Sequence, residues 1–179
     1  MRMKTKMIII LLLSASIYGT AQETIKWYTV EEAFALSAIQ PRKMLIDVYT
    51  DWCSWCKVMD QNTYRNEVIA AYINSHFYPV KFNAEQKQDV VVMGTTFKFV
   101  DNGSRGYNEL AAALLNGQMG YPSTVFLDES ARMIQPIQGY LQPKEFDEII
   151  KFIGGDHYLS QSWADFQSTY KSPIAELEE

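Results

Sequence analysis

Asp47-Val48-Tyr49-Thr50-Asp51-Trp52-Cys53-Ser54-Trp55-Cys56-Lys57 is the stretch on which the reading of this chain turns. Met44 to Tyr49 is a short, nearly continuous apolar run, the pattern of a strand buried on both faces. Asp47 interrupts it, and a carboxylate inside such a strand is costly unless it has a partner or a task. A short loop follows, and then two cysteines two residues apart open a helix expected to continue through Met59. Both cysteines of the chain lie in this stretch.

A cysteine at a helix start has a specific consequence. Unpaired backbone amides and the helix dipole favour negative charge there, so the thiolate of Cys53 is stabilised. The thiolate is the reactive form. Cys56, one turn further in and expected to be the less exposed of the two, can attack a mixed disulfide formed at Cys53. Ser54 and Trp55 set the balance, because they face the sulfur. Three other readings compete. A purely structural disulfide across two residues closes a tiny loop and removes little unfolded-state entropy. A zinc half-site needs further ligands, and the only histidines, His76 and His157, are not at finger spacing. A degenerate, inert pair is the third.

Outward from this stretch, the chain alternates helix and strand signals. Thr29-Val30-Glu31-Glu32 fits a capping box before a helix from Val30 to Ile39, which Pro41 ends. Asn66 reads as a fresh N-cap, so the helix after the cysteines kinks or restarts near 62–66. Phe77 to Phe82 is the next strand and carries Lys81. Val90 to Val92, a Met93-Gly94 turn and Thr95 to Val100 read as a hairpin, with a loop from Asp101 to Gly106. A helix is expected over Tyr107 to Leu115, stopped by Asn116-Gly117. Strands follow at Ser123–Leu127 and Arg132–Gln138, the second demoted to a sheet edge by Pro136. Pro143 to Ile153 is an amphipathic helix, and Tyr158, Leu159, Trp163, Phe166 and Tyr170 suggest a last helix docked on the body. The fold class is therefore α/β, one domain with a central mixed sheet flanked by helices, a hairpin insertion and a C-terminal helix.

The 179 residues are 47% hydrophobic, enough for one domain with a proper core. A net charge of −5 with no basic stripe argues against nucleic acid as a partner. Residues 1–21 stand apart. Arg2, Lys4 and Lys6 precede the apolar run Met7 to Ile17, and Gly19-Thr20-Ala21 supplies small residues at a cleavage position. They are expected to form a signal peptide, leaving 22–179 as the mature domain with no stable membrane insertion and a most natural home in the periplasm. Outside the cytoplasm a disulfide forms and persists.

Asp47 six positions before Cys53, the run Trp52-Cys53-Ser54-Trp55-Cys56-Lys57, Lys81 in the following strand and Pro122 in Gly120-Tyr121-Pro122-Ser123 together resemble the thioredoxin superfamily. Gly139 fits the break before that family's final helix. The resemblance covers about residues 25–153, leaving 154–172 as a helical extension. Asn62-Thr63-Tyr64 and Val68 are similar to the secreted branch that includes the C-terminal domain of the periplasmic thiol:disulfide interchange transporter. The Ser-Trp dipeptide, in place of Gly-Pro, and the 89–102 insertion depart from cytoplasmic thioredoxin.

The resemblance implies an exported thiol–disulfide oxidoreductase that reduces or isomerises protein disulfides. Cys53 is the nucleophile, Cys56 resolves, Asp47 accepts the Cys56 proton, and Lys81 beside it counters the upward pKa shift that burial brings. Trp52, Ser54, Trp55, Tyr121 and a cis Pro122 make the substrate surface, with Trp52 packed against the helix and Trp55 exposed. The redox-active disulfide is the only prosthetic device expected. Partners are proteins with disulfides and a membrane electron donor. Two other outcomes stay open: a net disulfide-forming oxidant, and a non-catalytic binding module.

Overall fold

Thr29 and Glu32 close the capping box that the sequence predicts: the Glu32 amide donates to Thr29 Oγ1 (3.2 Å) and the Thr29 amide to Glu32 Oε2 (2.8 Å). This starts α1 (Val30–Ile39) in a computed structural model that describes residues 23–103 and 105–175. The expected signal segment and the acidic end Glu176–Glu179 lie outside the described residues. β1 (Lys43–Tyr49), α2 (Ser54–Asn62), α3 (Glu67–His76) and β2 (Phe77–Asn83) follow. Asn66 separates the two middle helices, its Oδ1 accepting from the Val68 amide at 3.0 Å. Among the described residues no helix is long and apolar enough to cross a membrane.

β7 (Ser123–Leu127) and β8 (Met133–Gln138) complete a four-stranded sheet in the order β2-β1-β7-β8. β1 runs parallel to β2 and antiparallel to β7, so the sheet is mixed. β8 is an edge strand, where Pro136, opposite Val125, costs no ladder bond to a further strand. At the other edge Tyr28 bridges β2, its amide donating to Pro79 O at 2.8 Å.

Strand alternation divides β1 between two cores. Met44, Ile46 and Val48 face one cluster with Val30 and Ala33 of α1 and Leu110, Ala111 and Leu114 of α4 (Glu109–Leu114). Leu45 faces the other, with Met59 of α2, Ile69 and Ile73 of α3, Phe126 of β7, and Phe146, Ile150 and Ile153 of α5 (Pro143–Gly154). Fully burying each of these large side chains stabilises the fold by roughly 1.5–3 kcal/mol. Asp47 shares the Leu45 face, under the helix that carries the cysteines. Its register partners are Lys81 on β2 and Thr124 on β7.

The insertion differs from the single hairpin expected. β3 (Val90–Val92) pairs with β4 (Thr95–Phe97) around Met93 and Gly94, both at positive φ (49° and 80°), which is what a two-residue primed turn demands. The second strand then breaks at Lys98. β5 (Phe99–Val100) pairs instead with β6 (Tyr107–Asn108). This also corrects the helix expected from Tyr107: Asn108 Oδ1 accepts from the Leu110 amide (3.0 Å), so the cap sits at Asn108 and α4 starts at Glu109. The C-terminal extension is likewise a 3₁₀ turn, His157–Leu159, followed by the separate helix α6 (Trp163–Thr169), because Ser162 caps the second piece. Phe166 is buried against Phe152, and the Tyr170 hydroxyl donates to buried Asp147 at 2.7 Å, which docks the extension on α5.

Candidate active site

The loop from Thr50 to Trp52 turns the chain off β1 and hands it to α2 with Cys53 as the N-cap. Cys53 has extended φ/ψ (−70°, 103°), its amide donates to Thr50 O (3.1 Å), and its Sγ accepts the Cys56 amide (3.1 Å). The sulfur therefore occupies the place of a capping oxygen at the positive end of a helix. Cys53 and Cys56 form a disulfide with Cα atoms 5.3 Å apart. The expected difference in exposure is absent: each cysteine is 4% exposed, because the S–S bond turns Cys53 Sγ inward over the first turn. Ser54 is exposed at the first helical position, and Lys57 is exposed beyond the pair.

Beneath α2, Asp47 is 1% exposed and its Oδ2 lies 2.6 Å from Lys81 Nζ. Burial pushes its carboxyl from 3.8 to about 6; Lys81 holds it down only in part, and the charge of Asp60 adds to the rise. Among the described residues neither Asp47 oxygen receives a well-oriented hydrogen bond. Lys81 bridges Asp47 and Asp60. Burial works against its charge, but the two carboxylates outweigh that and raise it above 10.5. The rings of Trp27, Tyr49 and Tyr64 surround Nζ at 5.2, 5.1 and 5.3 Å, close enough for cation–π attraction. The Tyr64 hydroxyl stands 3.3 Å from Thr124 Oγ1, in the same row of the sheet.

The rim is aromatic. β7 begins at the end of β1 that leads to the cysteines, with Ser123 opposite Val48. The Tyr121–Pro122 bond just before it is cis. Tyr121 meets Trp52 edge to face, centroids 5.9 Å apart. Trp52 is not packed away as expected. It is 49% exposed and Trp55 59%, because Trp52 stands out over Tyr121 and donates its indole N–H to Glu85 Oε1 (2.8 Å). Trp55 lies against Tyr140 at 5.5 Å. Burial and then the Glu85 charge push the Tyr121 phenol up to about 12, so it stays protonated.

The structure thus brings Cys53, Cys56, Trp52, Trp55, Tyr121 and Pro122 to one end of the sheet, with Asp47 and Lys81 below the same helix. Sequence reasoning missed Asp60, although its place four residues after Cys56, on the same helical face, was a usable signal. Trp27, Tyr64, Glu85, Arg105 and Tyr140 come from distant segments, and no local pattern marks them. Among the described residues no three His, Cys, Asp or Glu side chains stand together as metal ligands. What this arrangement can do is thiol–disulfide exchange: a thiolate-stabilising cap, a second sulfur in reach, and a buried acid titrating near neutrality.

A family model named Thioredox_DsbH, described as a protein of unknown function, DUF255, matches residues 10–178. The chain belongs to this family. The chain is also similar to an uncharacterized protein of Caenorhabditis elegans, B0495.5, 28% identical over 88 residues, which are 49% of this chain and 12% of that one. The similarity extends to spermatogenesis-associated protein 20 of Rattus norvegicus, 27% identical over 128 residues, 70% of this chain and 14% of the relative. The chain thus spans a small part of the length of these relatives. Among solved structures, a thioredoxin from Thermus thermophilus superposes with a TM-score of 0.55 at 18% identity, covering 75% of this chain and 93% of that one. A protein described as DsbH oxidoreductase gives 0.52 at 18% identity, with coverages of 72% and 83%. This Thioredox_DsbH chain has the thioredoxin fold.

Proposed function

We propose that the protein is an exported thiol–disulfide oxidoreductase that reduces or isomerises disulfides in other proteins. The observation that carries the reading is Cys53 serving as both disulfide partner and N-cap of α2, the helix whose Asp60 shares Lys81 with a buried carboxyl raised to about 6. Two structural neighbours, a thioredoxin and a DsbH oxidoreductase, agree with it. Export is supported by the basic start and apolar run of the first 21 residues.

In the reduced protein the Cys53 thiolate attacks one sulfur of a substrate disulfide. A Cys53–substrate S–S bond forms, and the substrate's other sulfur leaves as a thiolate that takes up a proton. Cys56 then gives its proton to Asp47 and attacks Cys53 Sγ. The second substrate thiol is released, the substrate has gained two electrons, and Cys53–Cys56 is oxidised. A base titrating near working pH suits that transfer. Trp52, Ser54, Trp55, Tyr121 and Pro122 hold the extended substrate. Return to the dithiol needs two electrons from a donor dithiol, which for an exported protein means a membrane electron donor.

The test is trapping. Cys56→Ser, expressed with its native leader, should accumulate mixed disulfides with client proteins through Cys53, and the unaltered mature protein should catalyse insulin reduction by dithiothreitol. Absence of both results would overturn the reading.

A further inference from the structure

The insertion carries Arg105 onto Trp52, the residue before Cys53. Its guanidinium carbon lies 4.1 Å from the centre of the Trp52 ring, next in sequence to Cys53. The β5–β6 pairing closes the base of its loop, and its own amide donates to Asn102 Oδ1 at 3.1 Å. Trp52 is itself held, by Glu85 at the indole nitrogen and Tyr121 at the ring. The cation therefore rests on a fixed platform rather than on a free side chain.

Two features of this placement bear on substrate choice. A guanidinium laid over an aromatic ring spends its face on the contact and keeps its in-plane N–H donors, the fork that fits a carboxylate. Among the described residues no carboxylate oxygen pairs with Arg105, although the chain carries 21 acids against 16 lysines and arginines. Of the acids nearby in sequence or contact, Asp101 Oδ1 accepts the Gly103 amide, Glu109 Oε2 the Lys98 amide and Glu85 Oε1 the Trp52 indole, and Asp51 is exposed. An exposed arginine with no carboxylate partner among the described residues, held on the ring of the residue before Cys53 in an acidic protein, is complementary to a negative group on the incoming chain.

We propose that Arg105 makes the site select disulfide substrates with a carboxylate beside the reacting cysteine. The proposal rests on the oxidoreductase reading above and names its substrate class. The experiment uses three peptides, each closed by one disulfide and identical except for Asp, Ser or Lys next to a cysteine. The unaltered protein reduces them with dithiothreitol as the dithiol donor, and each rate is divided by that of dithiothreitol alone. The expected kcat/KM order is Asp above Ser above Lys, with about a three- to fivefold step for an exposed charge pair. The steps should shrink in high salt, shrink towards equality in Arg105→Gln, and reverse in Arg105→Glu. Equal rates for the three peptides in the unaltered protein, or steps of undiminished size in Arg105→Gln, would overturn the selectivity while leaving the oxidoreductase reading intact. If the unaltered protein reduces none of them, the oxidoreductase reading falls and takes the selectivity with it.

Discussion

Replacing Asp47 by Asn should stabilise the oxidised protein at neutral pH and leave it nearly unchanged near pH 3. The carboxyl is 1% exposed in the middle of β1, and burial moves it from 3.8 to about 6 against the partial opposition of Lys81. Well below 3.8 the group is protonated in both folded and unfolded chains and contributes nothing. Between 3.8 and about 6 the folded chain keeps a proton that the unfolded chain has lost, so rising pH favours unfolding. Above about 6 both forms are ionised and the penalty is constant. The gap between the two values is worth about 3 kcal/mol. Asn has the shape of the neutral acid and does not titrate, so the variant escapes this loss. Lys81 keeps Asp60 as a partner, and its attraction for Asp47 is already contained in the value of about 6. The variant's advantage should grow from near zero at pH 3 to at most about 3 kcal/mol above pH 7. Urea denaturation of both proteins, with the cysteines oxidised, at steps across this range measures it. The difference between the curves cancels the titrating groups that do not interact with Asp47. Parallel curves, or a wild type that gains on the variant as pH rises, would refute the assignment of the buried proton to Asp47.

Lys81→Met should move the Asp47 carboxyl further above about 6, since the charge holding it down is gone. The acid limb of the pH–rate profile for peptide disulfide reduction should shift to higher pH, and an unmoved limb would show that Lys81 does not govern the proton acceptor. Asn66→Ala removes the acceptor for the Val68 and Ile69 amides at the start of α3 and should cost about 1 kcal/mol in urea denaturation. No measurable loss would mean that the cap is replaced by water.

The parts of the molecule that could be read from the chain are those governed by neighbours in sequence. The Thr29–Glu32 box, the Asn66 restart and the Pro136 edge each depend on a few adjacent residues, and each stands where the sequence places it. Asp47 and Lys81 were paired through resemblance, and the parallel register of β1 and β2 puts them side by side. The failures share a cause. Local composition puts Tyr107 in a helix, but it pairs with Val100, a partner visible only once the insertion has folded back. The sequence predicts Trp52 packed against the helix. Its exposure follows from Glu85, Tyr121 and Arg105, three segments that meet only in the folded chain. The aromatic box around Lys81 is assembled the same way, from Trp27, Tyr49 and Tyr64.

Cys53 belongs to the secondary structure as much as to the chemistry. Its sulfur accepts the Cys56 amide that closes the first turn of α2, so an electron pair added to the disulfide arrives at a helix terminus. A thiolate in that position keeps the acceptor role and adds a full negative charge at the positive end of the helix. Folding and reduction then form a closed thermodynamic cycle. Whatever stability the fold grants the dithiol form beyond the disulfide form must reappear as oxidising power relative to the same sequence unfolded, about 30 mV for about 1.4 kcal/mol. Two denaturation curves, one for each form, therefore measure the bias of electron flow without an electrode or a client. A dithiol form that resists denaturant better than the disulfide form would mark a donor of disulfides, and the reverse order a reductant.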